Sequence, residues 1–339
     1  MTWAVIRTFA VGLMVASAPL SSRPAAAQVP EIRLARQFSM GYLQFNVMEH
    51  GNLIEKHARE LGIPDVKVTW ATFNGPNAMN DALLSNSVDV VAGGTPGLLT
   101  LWGRTKGTPL EVRGISALSS QPILLNTRNP NVKTIADLSE ADRIALPAVK
   151  VAIQAVVLQM AAAKMFGQSN FAKFDPLTVS MSPPDSTIAL LTGNNEITCV
   201  FGVPPYQEQQ LEKPGIRTIL NSFDVMDGSH VFTVAWTTSK FRDANPVLYK
   251  ALVAALKEAT EIVNKDRRAA GALWIKGVNS KLPLDMVDKI VSGPQVRWTM
   301  APENSMKFAN FMHSVGTLKP QAQSWRDLFF PEIHDLNGS

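Results

Sequence analysis

The feature that most constrains this chain is an internal repeat. The segment "TFNGPNAMNDALLSNSVDVVAGGTPG", beginning at Thr72, has a partner beginning at Val179, "VSMSPPDSTIALLTGNNEITCVFGVPP". Ala82-Leu83-Leu84 answers Ala189-Leu190-Leu191, Val88-Asp89-Val90 answers Asn195-Glu196-Ile197, and Gly94-Thr95-Pro96 answers Gly202-Val203-Pro204. Both copies read as loop, short helix, polar turn, strand, then a Gly and Pro loop.

The similarity extends upstream in kind. A strand at Ile32 to Ala35 is followed by a helix pattern stopping at Gly62 and a second strand at Val66 to Trp70. In the second half, Ile144 to Leu146 is followed by "VAIQAVVLQMAAAKMFG", stopping at Gly167, and then "LTVSM". Ile32 to Val68 spans 36 positions and Ile144 to Val179 spans 35. Glycine just past the last helical turn is a common C-terminal stop. Strands and helices alternating at this spacing imply βαβ units and mostly parallel sheets. Two such units make two α/β lobes, within the reach of 339 residues.

In open sheets of this kind, ligands sit beyond the carboxyl ends of the strands, where loops meet helix N-termini. "GGTPG" at Gly93 to Gly97 is at such a place. A plain turn is the bland reading; the paired loop in the second repeat favours a binding loop, where glycine lets a ligand approach the backbone and could supply a positive φ. The chain crosses between the lobes twice. The first crossing is the strand Ile123 to Thr127, and the second is "HVFTVAWTTSKF" from His230. Two crossings predict a discontinuous first lobe and a two-strand hinge. After the second crossing, Leu248, Leu252, Ala255, Leu256, Ala259 and Val263 recur at helical spacing behind Pro246, which predicts an amphipathic helix packed on lobe one.

The N-terminus is a separate object. Arg7, an apolar run from Phe9 to Val15, Pro19, and Ala25 to Ala27 read as an export signal cleaved after Ala27; the run is too short to span a bilayer. No twin-arginine pair and no lipid-accepting cysteine accompany it. The expected division is residues 1–27 as signal peptide, 28–126 with 233–339 as lobe one, and 127–232 as lobe two. Removing residues 1–27 takes away Arg7 and Arg23 and leaves 30 basic against 28 acidic residues. With no basic block, nucleic acid is not an expected partner.

Catalytic signatures are not found: no nucleophile elbow, phosphate loop, zincin helix or paired cysteines. Cys199, the single cysteine, lies in a strand-like run and reads as a buried, inert thiol. His50 and His57 sit two turns apart on one predicted helix, too far for joint metal ligation, and Asp285 and Asp288 read as a solvated helix face. No enzyme, metal or cofactor is expected.

Taken in order, "ARQFSMGYL", "NAMNDALLSNSVDVVAGGTP", "VKTIADLSEADRIALP", "IALLTGNNEITCVFGVPPY" and "VAWTTSKFRDANP" resemble the periplasmic substrate-binding proteins of ABC importers, in the branch for nitrate, sulfonate, taurine and thiamine-precursor uptake. The resemblance runs from Gln28 to about Phe330. It implies a type II periplasmic-binding-protein fold that closes on a small solute and delivers it to an ABC permease, acting as a periplasmic monomer. By motif position it implies contacts from Gln37, Phe38, Tyr42, Asn77, Gly94 and Thr95 in lobe one. In lobe two it implies Val149, Lys150, Gly202, Pro204 and His230.

Two departures bear on the solute. "YLQ" stands where relatives often have Pro after Tyr-Leu, and "PAVKVAIQ" stands where they often offer Gly and Ser. Fewer hydroxyl donors, the aromatic and Met side chains of "FSMGYL", and Lys150 favour an organic acid or sulfonate over nitrate. A sensor ligand domain would use the same cleft. A pyrimidine-synthase-like enzyme of the same fold is disfavoured by the export signal and the single cysteine.

Overall fold

Two sheets, each with a parallel three-strand unit at one end, organise the computed structural model, which describes Met1, residues 30–193 and residues 196–339. The expected export signal lies outside the described residues, as does Asn195 of the second repeat. The chain begins with β1 (Glu31–Gln37), α1 (Leu43–Gly51), α2 (Leu53–Glu60), β2 (Lys67–Phe73), α3 (Pro76–Leu84), β3 (Val90–Gly94), α4 (Thr95–Thr105) and β4 (Val112–Ser120). It then crosses into β5 (Leu124–Thr127), β6 (Ile144–Leu146), α5 (Ile153–Phe166), β7 (Thr178–Ser180), α6 (Pro183–Thr192), β8 (Cys199–Phe201), α7 (Tyr206–Leu211), β9 (Arg217–Asn221) and α8 (Ser222–Val225). It returns through β10 (Val231–Thr238), α9 (Ser239–Ala244), α10 (Pro246–Lys265), α11 (Arg267–Gly277), α12 (Leu284–Val291), β11 (Arg297–Trp298) and α13 (Ser305–Ser314).

The first sheet has the order β2-β1-β3-β10-β4-β11 and the second β7-β6-β8-β5-β9. In each, a parallel trio (β2-β1-β3 and β7-β6-β8) is flanked by an antiparallel crossing strand, β10 beside β3 and β5 beside β8. The repeat in the sequence is therefore a repeat in topology, with β1, β2 and β3 answered by β6, β7 and β8. Ile32 pairs with Val68, and Ile144 with Thr178. Gly62 and Gly167 follow α2 and α5 with φ of 89° and 91°.

The six apolar positions expected on α10 are all buried, within the core that α10 forms with α1, α2, α11 and α12 on one face of the first sheet. A second apolar cluster runs from the first sheet through α4 and α13 into α5 of the second lobe. The helix expected to carry both His50 and His57 is divided, because Asn52 takes a left-handed φ of 47° and ends α1 before α2 begins. His57 pairs instead with Glu60 at 3.0 Å and Glu258 at 2.7 Å. Asp285 and Asp288 both bind Arg268 on the surface.

Candidate ligand-binding site

Six β-to-α junctions converge between the sheets. β1, β2 and β3 supply them from lobe one, and β6, β7 and β8 from lobe two; each strand runs directly into the start of a helix within a few residues. Parallel pairing sends all three carboxyl ends of each trio to the same edge, so the loops face each other across one cleft.

The position of β3 is set by Asp89. Its carboxylate accepts from Nε and Nη2 of Arg33 at 2.9 and 2.8 Å and from the Arg33 N–H at 2.8 Å, tying β3 to β1 just before it enters the sheet. The strand then continues through Gly93 and Gly94, which pair with Val234 and Thr233 of β10, and α4 starts at Thr95 with no intervening loop. "GGTPG" is thus a strand end and a helix start. The expected positive φ at Gly94 is not there; its φ is −69°. Glycine is required for space, because a Cβ at Gly94 would lie 2.8 Å from Cβ of Ile153 in the opposite lobe. Gly75 behaves alike: a Cβ there would lie 2.7 Å from the Pro147 carbonyl oxygen, also across the cleft.

The lobes touch by hydrogen bonds too. The Pro204 carbonyl accepts from the Met40 N–H at 2.9 Å and from Ser39 Oγ at 3.0 Å. Ser39 also accepts from the Gly41 N–H at 2.9 Å, which caps the short helical turn after β1 and fixes the hydroxyl. The centre of the cleft is accordingly pinched to about 20 Å³, roughly the space of one water. It widens on either side into a groove of about 360 Å³ toward α11 and one of about 410 Å³ between α3 and α6.

Of the residues expected in the site, Gln37, Phe38, Tyr42 and Gly94 line the pinched centre, and Gln37 and Phe38 also reach the α11 groove. Asn77 is exposed and lines the α3–α6 groove. Pro204 takes part through its carbonyl. The remaining five stand apart from the lining of these three cavities. Thr95 is fully buried and directs its hydroxyl at the Val231 carbonyl, 3.5 Å away. Gly202 packs on Gln207, and the Val149 N–H donates to Ser180 Oγ at 3.1 Å. Lys150 is exposed, with a left-handed φ of 65°.

His230 belongs to the crossing between lobes. It is fully buried, its ring edge-on to Phe223 and Phe308 at 5.2 and 5.4 Å, with Nε2 2.8 Å from Ser222 Oγ and Nδ1 2.9 Å from the Val231 carbonyl. Burial lowers its pKa to about 4, so the ring is neutral at pH 7.

Residues that sequence reasoning passed over are Ser39, Ile153, Phe232 and Pro147 in the centre, and Arg36, Asn46, Tyr206 and Gln209 in the α11 groove. A serine directly before a short helix and an asparagine inside the apolar run "LQFNVM" were the available signals.

The pinched centre carries no ionised side chain, yet it is not neutral in character. α4 and α5 both begin there, at Thr95 and Ile153, and neither has a side-chain cap. Their partial positive ends and the first-turn N–H groups, which α4 lacks only at Pro96, therefore lie at the cleft, an arrangement that favours a hydrogen-bond acceptor or an anion. Burial raises the Tyr42 phenol far above its usual range, so it stays neutral. Cys199 is buried, donates to Thr127 Oγ1 at 3.2 Å and has its thiol pKa raised by burial, which keeps it protonated and inert. Among the described residues no cluster of three or more His, Cys, Asp or Glu could hold a metal, and no helix is long and apolar enough to cross a membrane.

Known proteins agree with this architecture. The alkanesulfonate-binding protein SsuA from Xanthomonas axonopodis pv. citri, solved bound to MOPS, matches with a TM-score of 0.67 at 17% identity over 87% of this chain and 96% of its own. The periplasmic aliphatic sulphonate binding protein SsuA from Escherichia coli matches with a TM-score of 0.63 at 17% identity, covering 88% and 92%. The periplasmic nitrate-binding protein NrtA from Synechocystis PCC 6803 matches with a TM-score of 0.65 at 14% identity, covering 91% and 90%. No curated protein sequence matches significantly. At these identities the structures speak for the fold, which is that of the two-lobed periplasmic binding proteins. The NMT1-like family matches residues 25–275, well over half the chain, and the chain therefore belongs to the NMT1-like family.

Proposed function

We propose that this protein is an exported, monomeric solute-binding protein that captures a small organic acid or sulfonate-like solute between its lobes and delivers it to an ABC permease. The observation that carries the reading is the meeting of six β-to-α junctions, with the N-termini of α4 and α5 left uncapped at the same point. Such a site holds acceptors by backbone N–H groups and needs no catalytic group. In place of the expected division of 28–126 with 233–339 and 127–232, which cuts β5 and β10, we adopt one that follows the sheets, with residues 30–121 and 231–339 as one lobe, 122–230 as the other, and the crossings at Gln121 to Ile123 and Met226 to His230 as the hinge. Two proteins of this fold, the alkanesulfonate-binding SsuA and the nitrate-binding NrtA, lend the solute class its direction.

Thermal-shift screening against sulfonates, carboxylic acids and nitrate tests the reading, because a ligand that binds only the folded state raises the melting temperature by mass action. The expected result is a saturable rise with at least one acid or sulfonate. A flat response across the whole panel contradicts it.

A further inference from the structure

The groove toward α11 contains an unusual pair of side chains. Arg36, at the end of β1, uses Nη2 on Glu49 at 2.6 Å and lies over the Trp70 ring, its guanidinium carbon 5.6 Å from the centroid. Its Nη1 is buried without a hydrogen-bond partner. Asn46, on α1, is 1% exposed, and its Nδ2 is likewise buried without a partner. Both residues line the same groove of about 360 Å³. Buried donors are normally satisfied, and leaving two open in one wall is costly unless something accepts from them.

The rest of the groove is amphipathic. Phe38, Trp274 and Leu282 form its apolar side, while Tyr206 and Gln209 face it from the opposite lobe. The groove at the other end of the cleft carries Asp185 instead, with no cation in its lining. The two ends therefore differ in which charge they tolerate.

We propose that the α11 groove binds the carboxylate head of a solute whose apolar body lies along Phe38 and Trp274. The proposal rests on the capture of a solute between the lobes. Two open donors match the two oxygens of a carboxylate in number. Glu49 occupies one arm of the Arg36 fork and offsets its single charge, which disfavours a more highly charged head. A sulfonate would bring a third oxygen to a wall that has, among the described residues, no third buried donor left open. Tyr206 and Gln209, from the opposite lobe, already stand in the same groove and would cover the head.

The test is calorimetric titration with hexanoate, hexane-1-sulfonate and hexanamide, three probes with similar bodies and different heads. In wild type, hexanoate should bind at least about tenfold tighter than hexanamide and tighter than the sulfonate. Asn46→Leu keeps a similar volume, and the double variant Arg36→Met/Glu49→Gln removes both charges so that neither is left unpaired. Circular dichroism and melting temperature establish that each is folded. Both variants should lose the preference for hexanoate over hexanamide. Equal binding of acid and amide, no binding of any probe, a preference for the sulfonate, or a preference that survives in either folded variant overturns the proposal. Small-angle scattering on the same samples separates this from the wider reading. Compaction by acid and amide alike keeps interlobe capture and removes the carboxylate assignment; an Arg36- and Asn46-dependent preference without compaction does the reverse.

Discussion

Ser39 Oγ, just beyond β1, donates to the carbonyl of Pro204, just beyond β8, at 3.0 Å, so that the first strand end of one repeat is tied to the last strand end of the other. The Met40 N–H donates to the same oxygen at 2.9 Å. This pair of bonds is a direct link between the lobes. Ser39→Ala removes one of them, and a single hydrogen bond of this kind contributes about 1 kcal/mol. The variant should shift the open-to-closed equilibrium toward open by roughly fivefold. Its melting temperature should fall by only a few degrees, from the lost cap on Gly41. Distances between spin labels placed on the two lobes report the shift; an unchanged distribution would mean that Ser39 adds nothing to closure.

His230 ties the hinge to pH. Burial lowers its pKa to about 4 from an ordinary 6.5. The unfolded chain therefore binds the proton more readily than the folded one between those values, and stability is lost as pH falls through this window. The contribution is at most about 3 kcal/mol for a shift of this size. Melting temperatures of wild type and His230→Gln should differ most above pH 6.5 and converge toward pH 4. A difference that does not vary with pH contradicts a neutral, buried His230.

Glu208 acts with the opposite sign. On α7, its carboxyl is pushed up to about 7 by burial, and its Oε2 has no hydrogen-bond partner while Oε1 accepts from Gln207 at 2.9 Å. The folded state holds the proton between pH 4.5 and 7. Its stabilising contribution is therefore present below 4.5 and lost as pH rises through 7. Glu208→Gln should raise the melting temperature at pH 8 and leave it nearly unchanged at pH 4.5. Equal effects at both values would place the carboxylate in contact with water.

Much of this architecture was legible because repeats and periodicity are local signals. Ile32 to Ala35, Ile144 to Leu146 and the apolar stripe of α10 appear where spacing put them. What spacing cannot carry is who lies opposite. Gly94 read as a loop glycine because Gly-Gly-Thr-Pro-Gly looks like punctuation, whereas its partners are Thr233 in the same sheet and Ile153 in the other lobe. His230 read as a cleft residue by motif position, yet Phe223, Phe308 and Ser222 enclose it. Arg36 carries no mark in the sequence, because only the fold shows that it reaches the α11 groove beside Gln37 at the end of β1.

The central claim is that a small solute is held between the lobes, in a cleft whose closure brings Gly94 up against Ile153. A Cβ at Gly94 would lie 2.8 Å from Ile153 Cβ, so Gly94→Val wedges the cleft without straining a backbone whose φ is −69°. Native mass spectrometry of wild type and Gly94→Val, each isolated without denaturation from the cells that make it, reads this directly. Wild type should carry a small organic acid or sulfonate that is lost on unfolding, and folded Gly94→Val should carry none. Wild type without a bound small molecule, or the same adduct at the same occupancy in both proteins, would contradict capture between the closing lobes.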